Sequence, residues 1–102
     1  MIAELKIYED CSSPEPTKTY PLYRVTTRVT KQMADFQKKY ETMKPTADDY
    51  EEVMGDLDFI LKTIFPKITD EELEIASLDD KMDFVWAITN HFNNVSNKAI
   101  KN

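Results

Sequence analysis

A single glycine among 102 residues leaves no glycine-rich loop of the GxGxxG or GxxxxGK[ST] kind. Such loops need several positions with free φ or close backbone approach to phosphate. One cysteine excludes an internal disulfide framework and a four-cysteine zinc site, and one histidine excludes a two-histidine metal motif. Most catalytic templates fall with them, and no cofactor is expected. No apolar run approaches the roughly 18 residues that span a bilayer, and Met1-Ile2-Ala3-Glu4 opens without a basic stretch or a long apolar segment. The expectation is a soluble protein that stays in the cytoplasm where it is made.

What the chain has in excess is acid: 19 Asp+Glu against 13 Lys+Arg, for a net charge of -6. Residues 1–45 carry six acids and eight bases, whereas residues 46–84 carry thirteen acids and three bases. A dense acidic surface repels phosphate backbones, because nucleic-acid affinity rests on Lys and Arg displacing counterions. Direct DNA or RNA binding is therefore not expected. The block reads first as solvated helix faces that keep a small domain soluble, and second as an acidic docking surface.

Hydrophobic periodicity predicts an α+β, mainly α fold, with an N-terminal β-hairpin packed on a bundle of three to four helices. Ala3, Leu5 and Ile7 alternate with Glu4, Lys6 and Tyr8, the period of a half-buried strand. Residues 9–17, with Pro14 and Pro16, form an exposed loop, and a second strand runs from Thr19 to about Thr27. The period then changes between Thr26 and Thr30. Val29, Met33, Phe36, Tyr40 and Met43 mark a first helix ending before Pro45. Thr46 is the candidate N-cap of a second, with a stripe from Tyr50 through Leu57 and Leu61 to Phe65. Thr69-Asp70-Glu71-Glu72 fits a capping box, with Ile68 and Leu73 as its hydrophobic staple, for a short helix ending near Ser77. Leu78, Met82, Val85, Ile88, Phe92 and Val95 mark a fourth. The organisation expected is one globular domain over residues 1–95, comprising a hairpin over 1–28 and a helical part over 29–95, with a flexible tail over 96–102.

Residues able to carry chemistry are few. Cys11 lies in the proline loop among acidic neighbours that disfavour a reactive thiolate and reads as a bystander, and His91, with no sequence-local triad partner and no second histidine, reads as structural. The acidic pairs Asp48/Asp49, Glu51/Glu52, Glu71/Glu72 and Asp79/Asp80 are adjacent and diverge around their helices, so none forms a catalytic dyad by itself. Two aromatics are more informative. Phe59 falls opposite the apolar stripe of its helix, with Gly55 one turn earlier on nearly the same side. Either another element of the chain covers Phe59, the preferred reading, or it is left for a partner. Trp86 sits at the edge of a wide apolar arc, where a core position is preferred to an interface anchor. Gly55, Phe59 and Trp86 are the candidate protein-binding residues.

The order of these features resembles the tail assembly chaperones of long-tailed bacteriophages, the lambda G protein-like group. The resemblance runs over roughly residues 19–95. It rests on the Tyr23-Arg24-Val25-Thr26-Thr27-Arg28-Val29 stretch leading into an amphipathic helix, and on an acidic helix ending at Ile64-Phe65. The Ile68-Thr69-Asp70-Glu71-Glu72-Leu73 block and Asp83-Phe84-Val85-Trp86-Ala87-Ile88 follow as closing helices. Many members carry a glycine-rich turn where this chain has Phe65-Pro66-Lys67-Ile68. The resemblance implies a non-enzymatic, non-structural factor, made in the infected bacterium and absent from the mature virion. It would bind the tape measure protein, keep it soluble and help recruit tail tube protein. It also implies a longer product by ribosomal frameshifting, for which Ile100-Lys101-Asn102 is compatible with a slippery run. The alternative is a small acidic phage or host regulator that inhibits a protein by charge mimicry.

Overall fold

The computed structural model describes residues 1–40 and 47–101, with side chains for residues 1–40 and 49–95. The fold is α+β and mainly helical: strands β1 (Ala3–Ile7) and β2 (Lys18–Leu22) precede helices α1 (Thr27–Tyr40), α2 (Ala47–Ile64), α3 (Asp70–Ile75) and α4 (Leu78–Lys101). These elements form two compact units, one of residues 1–24 with 74–102 and one of residues 25–73.

In the first unit β1 and β2 pair antiparallel, with Ala3 opposite Leu22, Leu5 opposite Tyr20 and Ile7 opposite Lys18. The alternation expected of β1 is present: Ala3, Leu5 and Ile7 are buried while Glu4 and Lys6 are not. A two-stranded ribbon is marginal by itself, and α4 packs on β1 to supply the missing apolar layer. The buried face of α4 comprises Lys81, Phe84, Val85 and Ile88, the spacing of one helical stripe. Lys81, fully buried, is a charged residue that no apolar pattern assigns to the interior. Ser77 caps α4, its Oγ accepting from the Asp80 N–H at 3.0 Å. The short helix therefore ends at Ile75, because Ser77 already serves its successor. The helical backbone continues past Val95 to Lys101.

The second strand is shorter than its β-branched run suggests. The ladder ends at the Ala3–Leu22 pair, next to which Ile2 N–H donates to Leu22 O at 2.8 Å. Tyr23 is exposed instead. In the connecting loop Asp10 accepts from Ser12 N–H at 2.9 Å and from the Ser12 and Ser13 hydroxyls, and these hydrogen bonds hold its carboxyl below the usual range. Cys11 is exposed beside it.

In the second unit Thr26 caps α1, accepting from Val29 N–H at 3.3 Å. The buried residues are Val29 and Met33 of α1, Leu57, Ile60 and Leu61 of α2, and Ile68 and Leu73 around the start of α3. Phe36 and Tyr40 are only partly buried, and Tyr50 is exposed, so the apolar stripes are longer than the faces they bury. The capping box forms as expected: Glu72 N–H donates to Thr69 Oγ1 at 3.1 Å and Thr69 N–H to Glu72 Oε1 at 3.0 Å. Both staple residues, Ile68 and Leu73, are buried. Met43 and the Thr46 cap lie outside the described residues.

Candidate protein-binding surface

Leu57, Ile60 and Leu61 mark the buried side of α2. At about 100° per residue, Phe59 points about 150° away from their centre. It is 65% exposed, so no described element covers it, and the preferred sequence reading is corrected. Thr63 and Asp56, neighbours of Phe59 on α2, are both engaged from α1. Gln32 Nε2 donates to Thr63 Oγ1 at 3.2 Å, and the Thr63 hydroxyl donates to Phe59 O at 3.0 Å.

Two turns away along both helices, Lys39 Nζ reaches Glu52 Oε1 at 2.6 Å and Asp56 Oδ2 at 2.9 Å, and the Tyr40 hydroxyl donates to the same Asp56 oxygen. That hydroxyl and the Lys39 ammonium hold the Asp56 carboxyl below its usual range. Desolvation, reinforced by Asp56, raises the Tyr40 phenol, and the two carboxylates raise the Lys39 ammonium. The Phe36 ring packs against Tyr40 at 4.8 Å between centroids. Because the ion-pair members are about half exposed, solvent screens them; their role is to hold α1 and α2 in register.

Between these two sets of contacts an open groove of about 260 Å³ runs along α1 and α2, with Asp35 and Phe36 on one wall, Asp56 and Phe59 on the other, and Ile60 among its lining residues. Gln32 also lines it, and its Oε1 is buried with no hydrogen-bond partner among the described residues. Gly55 is exposed on α2, and a Cβ there would meet nothing within 4 Å. The arrangement offers an aromatic ring beside carboxylates, which suit an apolar side chain carried on a donor-bearing segment.

Trp86 belongs to the other unit. It is 58% exposed because Lys81, Phe84, Val85 and Ile88 define the buried side of α4, about 150° from it, so the core placement is corrected. His91 is partly buried, with its ring 6.5 Å from that of Phe92. Gln32, Asp35 and Lys39 were not singled out from sequence: they look like ordinary polar positions, and only the pairing of α1 with α2 gives them a common wall. Among the described residues no group of three or more His, Cys, Asp or Glu side chains is arranged to hold a metal ion, and no helix is long and apolar enough to cross a membrane. No family model, no curated protein and no solved structure matches this chain.

Proposed function

We propose that this protein is a non-enzymatic binding factor of the kind its order of elements resembles, a tail assembly chaperone of a long-tailed bacteriophage. It acts in the cytoplasm of the infected host and is absent from the mature virion. There it covers apolar helical segments of the tape measure protein, keeps that long rod soluble and helps recruit tail tube subunits. Its partners are proteins, not nucleic acid or membrane.

The observation that supports this reading is the solvent-exposed Phe59 at the rim of the α1–α2 groove. Exposed aromatics beside a shallow groove are the usual anchors for an amphipathic partner helix. The acidic surface around them keeps a complex with an apolar partner from aggregating further.

The test is a pull-down from phage-infected cells with this protein as bait, washed at high salt and resolved by mass spectrometry. Recovery of a very long helical tail protein that resists the salt supports the chaperone. Recovery instead of a host enzyme or nucleic-acid-binding protein, released by moderate salt, refutes it and favours an acidic mimic, whose affinity is electrostatic.

A further inference from the structure

We infer that the free edge of β1 is a second binding site, one that takes an extended, lysine- or arginine-bearing segment of a partner protein as a third strand. The inference is independent of the tail-assembly reading and starts from Pro21. Antiparallel residues alternate between hydrogen-bonded and non-hydrogen-bonded pairs. Pro21 has no N–H, so its pairing with Glu4 is of the second kind, and so is that of Lys6 with Thr19 two residues on. The main-chain N–H and C=O groups of Glu4 and Lys6 therefore point away from β2. The sheet has two strands, and among the described residues no third strand meets them. On the other side of the hairpin Pro21 itself blunts the β2 edge, because a strand added there finds no donor at that position.

The β1 edge is also open in space. A cavity of about 200 Å³ is lined by Ala3, Glu4 and Lys6 of β1 and by Asp80, Asp83 and Phe84 of α4. Because Ala3 lies on the buried face of the strand and Glu4 and Lys6 on the other, a space touching all three opens at the edge between the faces. Its charged lining is three carboxylates against one ammonium, and neither Glu4 nor Lys6 has an ion-pair partner among the described residues. A basic segment complements it.

A second copy of this chain does not fit as well. Edge-to-edge addition sets the two β1 strands about 4.8 Å apart. Each copy carries α4 packed on its own β1, with Asp80, Asp83 and Phe84 reaching the edge cavity, whereas packed helices need about 8–10 Å between axes. Like-charged aspartates would also meet across the dyad. A bare extended peptide has neither obstacle.

The probe is the peptide acetyl-Lys-Val-Lys-Val-Lys-Val-amide, titrated into the full chain and followed by amide NMR and hydrogen exchange, with the Asp-Val counterpart as control. Saturating Lys-Val peptide is expected to shift the Glu4 and Lys6 amide signals and slow their exchange by about tenfold or more, while the Asp-Val peptide does neither. The double variant Asp80→Asn/Asp83→Asn is expected to weaken binding by about fivefold. Lys6→Pro deletes an outward donor without touching the β1–β2 ladder, and is expected to abolish the effect in a chain whose circular dichroism is unchanged. If Lys6→Pro does not fold, the exchange of Glu4 and Lys6 in the unaltered chain decides alone. Binding without protection at Glu4 and Lys6, equal response to both peptides, or no response at millimolar peptide overturns the proposal. Protection of the two amides that rises with protein concentration in the absence of peptide overturns it in favour of a homodimer.

Discussion

Phe59 and Leu57 lie two residues apart on α2 and should respond to truncation in opposite ways. Phe59 is 65% exposed, so about a third of its side chain is removed from water; full burial of a Phe stabilises by about 2–3 kcal/mol, which leaves about 1 kcal/mol for Phe59. Leu57 is fully buried, and Leu57→Ala removes methyl groups and leaves a cavity, for about 3–5 kcal/mol. Urea denaturation of Phe59→Ala should therefore give a midpoint close to the unaltered chain, while Leu57→Ala loses a large share of a stability expected near 5–15 kcal/mol. The binding assay runs the other way. If Phe59 anchors a partner, Phe59→Ala should weaken capture of the tail protein by about 30-fold, the scale of a hot-spot truncation of about 2 kcal/mol. A destabilisation by Phe59→Ala matching that of Leu57→Ala would show the ring to be core, and undiminished capture by a folded Phe59→Ala protein would remove it from the interface.

Other perturbations read the same surfaces. Tyr40→Phe removes the leading cause of the lowered Asp56 carboxyl, which should move toward its ordinary value in a carboxyl NMR titration. Because a depressed carboxylate stabilises the fold above its unfolded-state value near pH 3.9 and loses that contribution as pH falls through the folded value, the variant should flatten the acid limb of stability below about pH 4, by about 1 kcal/mol or less after screening. Thr69→Ala and Ser77→Ala should each cost about 1 kcal/mol and speed amide exchange at Glu72 and Asp80, the donors they leave unpaired; unchanged exchange would deny the caps. Gly55→Ala should raise the thermal midpoint by the equivalent of about 0.5–1 kcal/mol, since a helical glycine gives up backbone entropy and nothing stands within 4 Å of the added carbon. A fall in the midpoint would contradict the open space beside α2.

The sequence by itself determined the elements. Alternation placed β1, the Thr69–Glu72 box placed the start of α3, and apolar spacing placed α1, α2 and α4, because these signals are local and their periods of 2 and 3.6 residues are written in neighbouring positions. Opposition to the stripe also singles out Phe59, but whether another element covers that ring is not written in the helix's own period. What the tertiary structure decided is which faces find partners. Trp86 is exposed because α4 buries the Lys81–Phe84–Val85–Ile88 side, a choice that the wide apolar arc left open. The strand expected to reach Thr27 stops at Leu22, where its pairing with β1 ends, although the β-branched run itself continues. Gln32, Asp35 and Lys39 become one wall only when α1 meets α2. The hairpin packs with α4, so each of these outcomes joins residues far apart in the chain. No local period encodes such long-range pairing; it is decided by which apolar surfaces can be removed from water together.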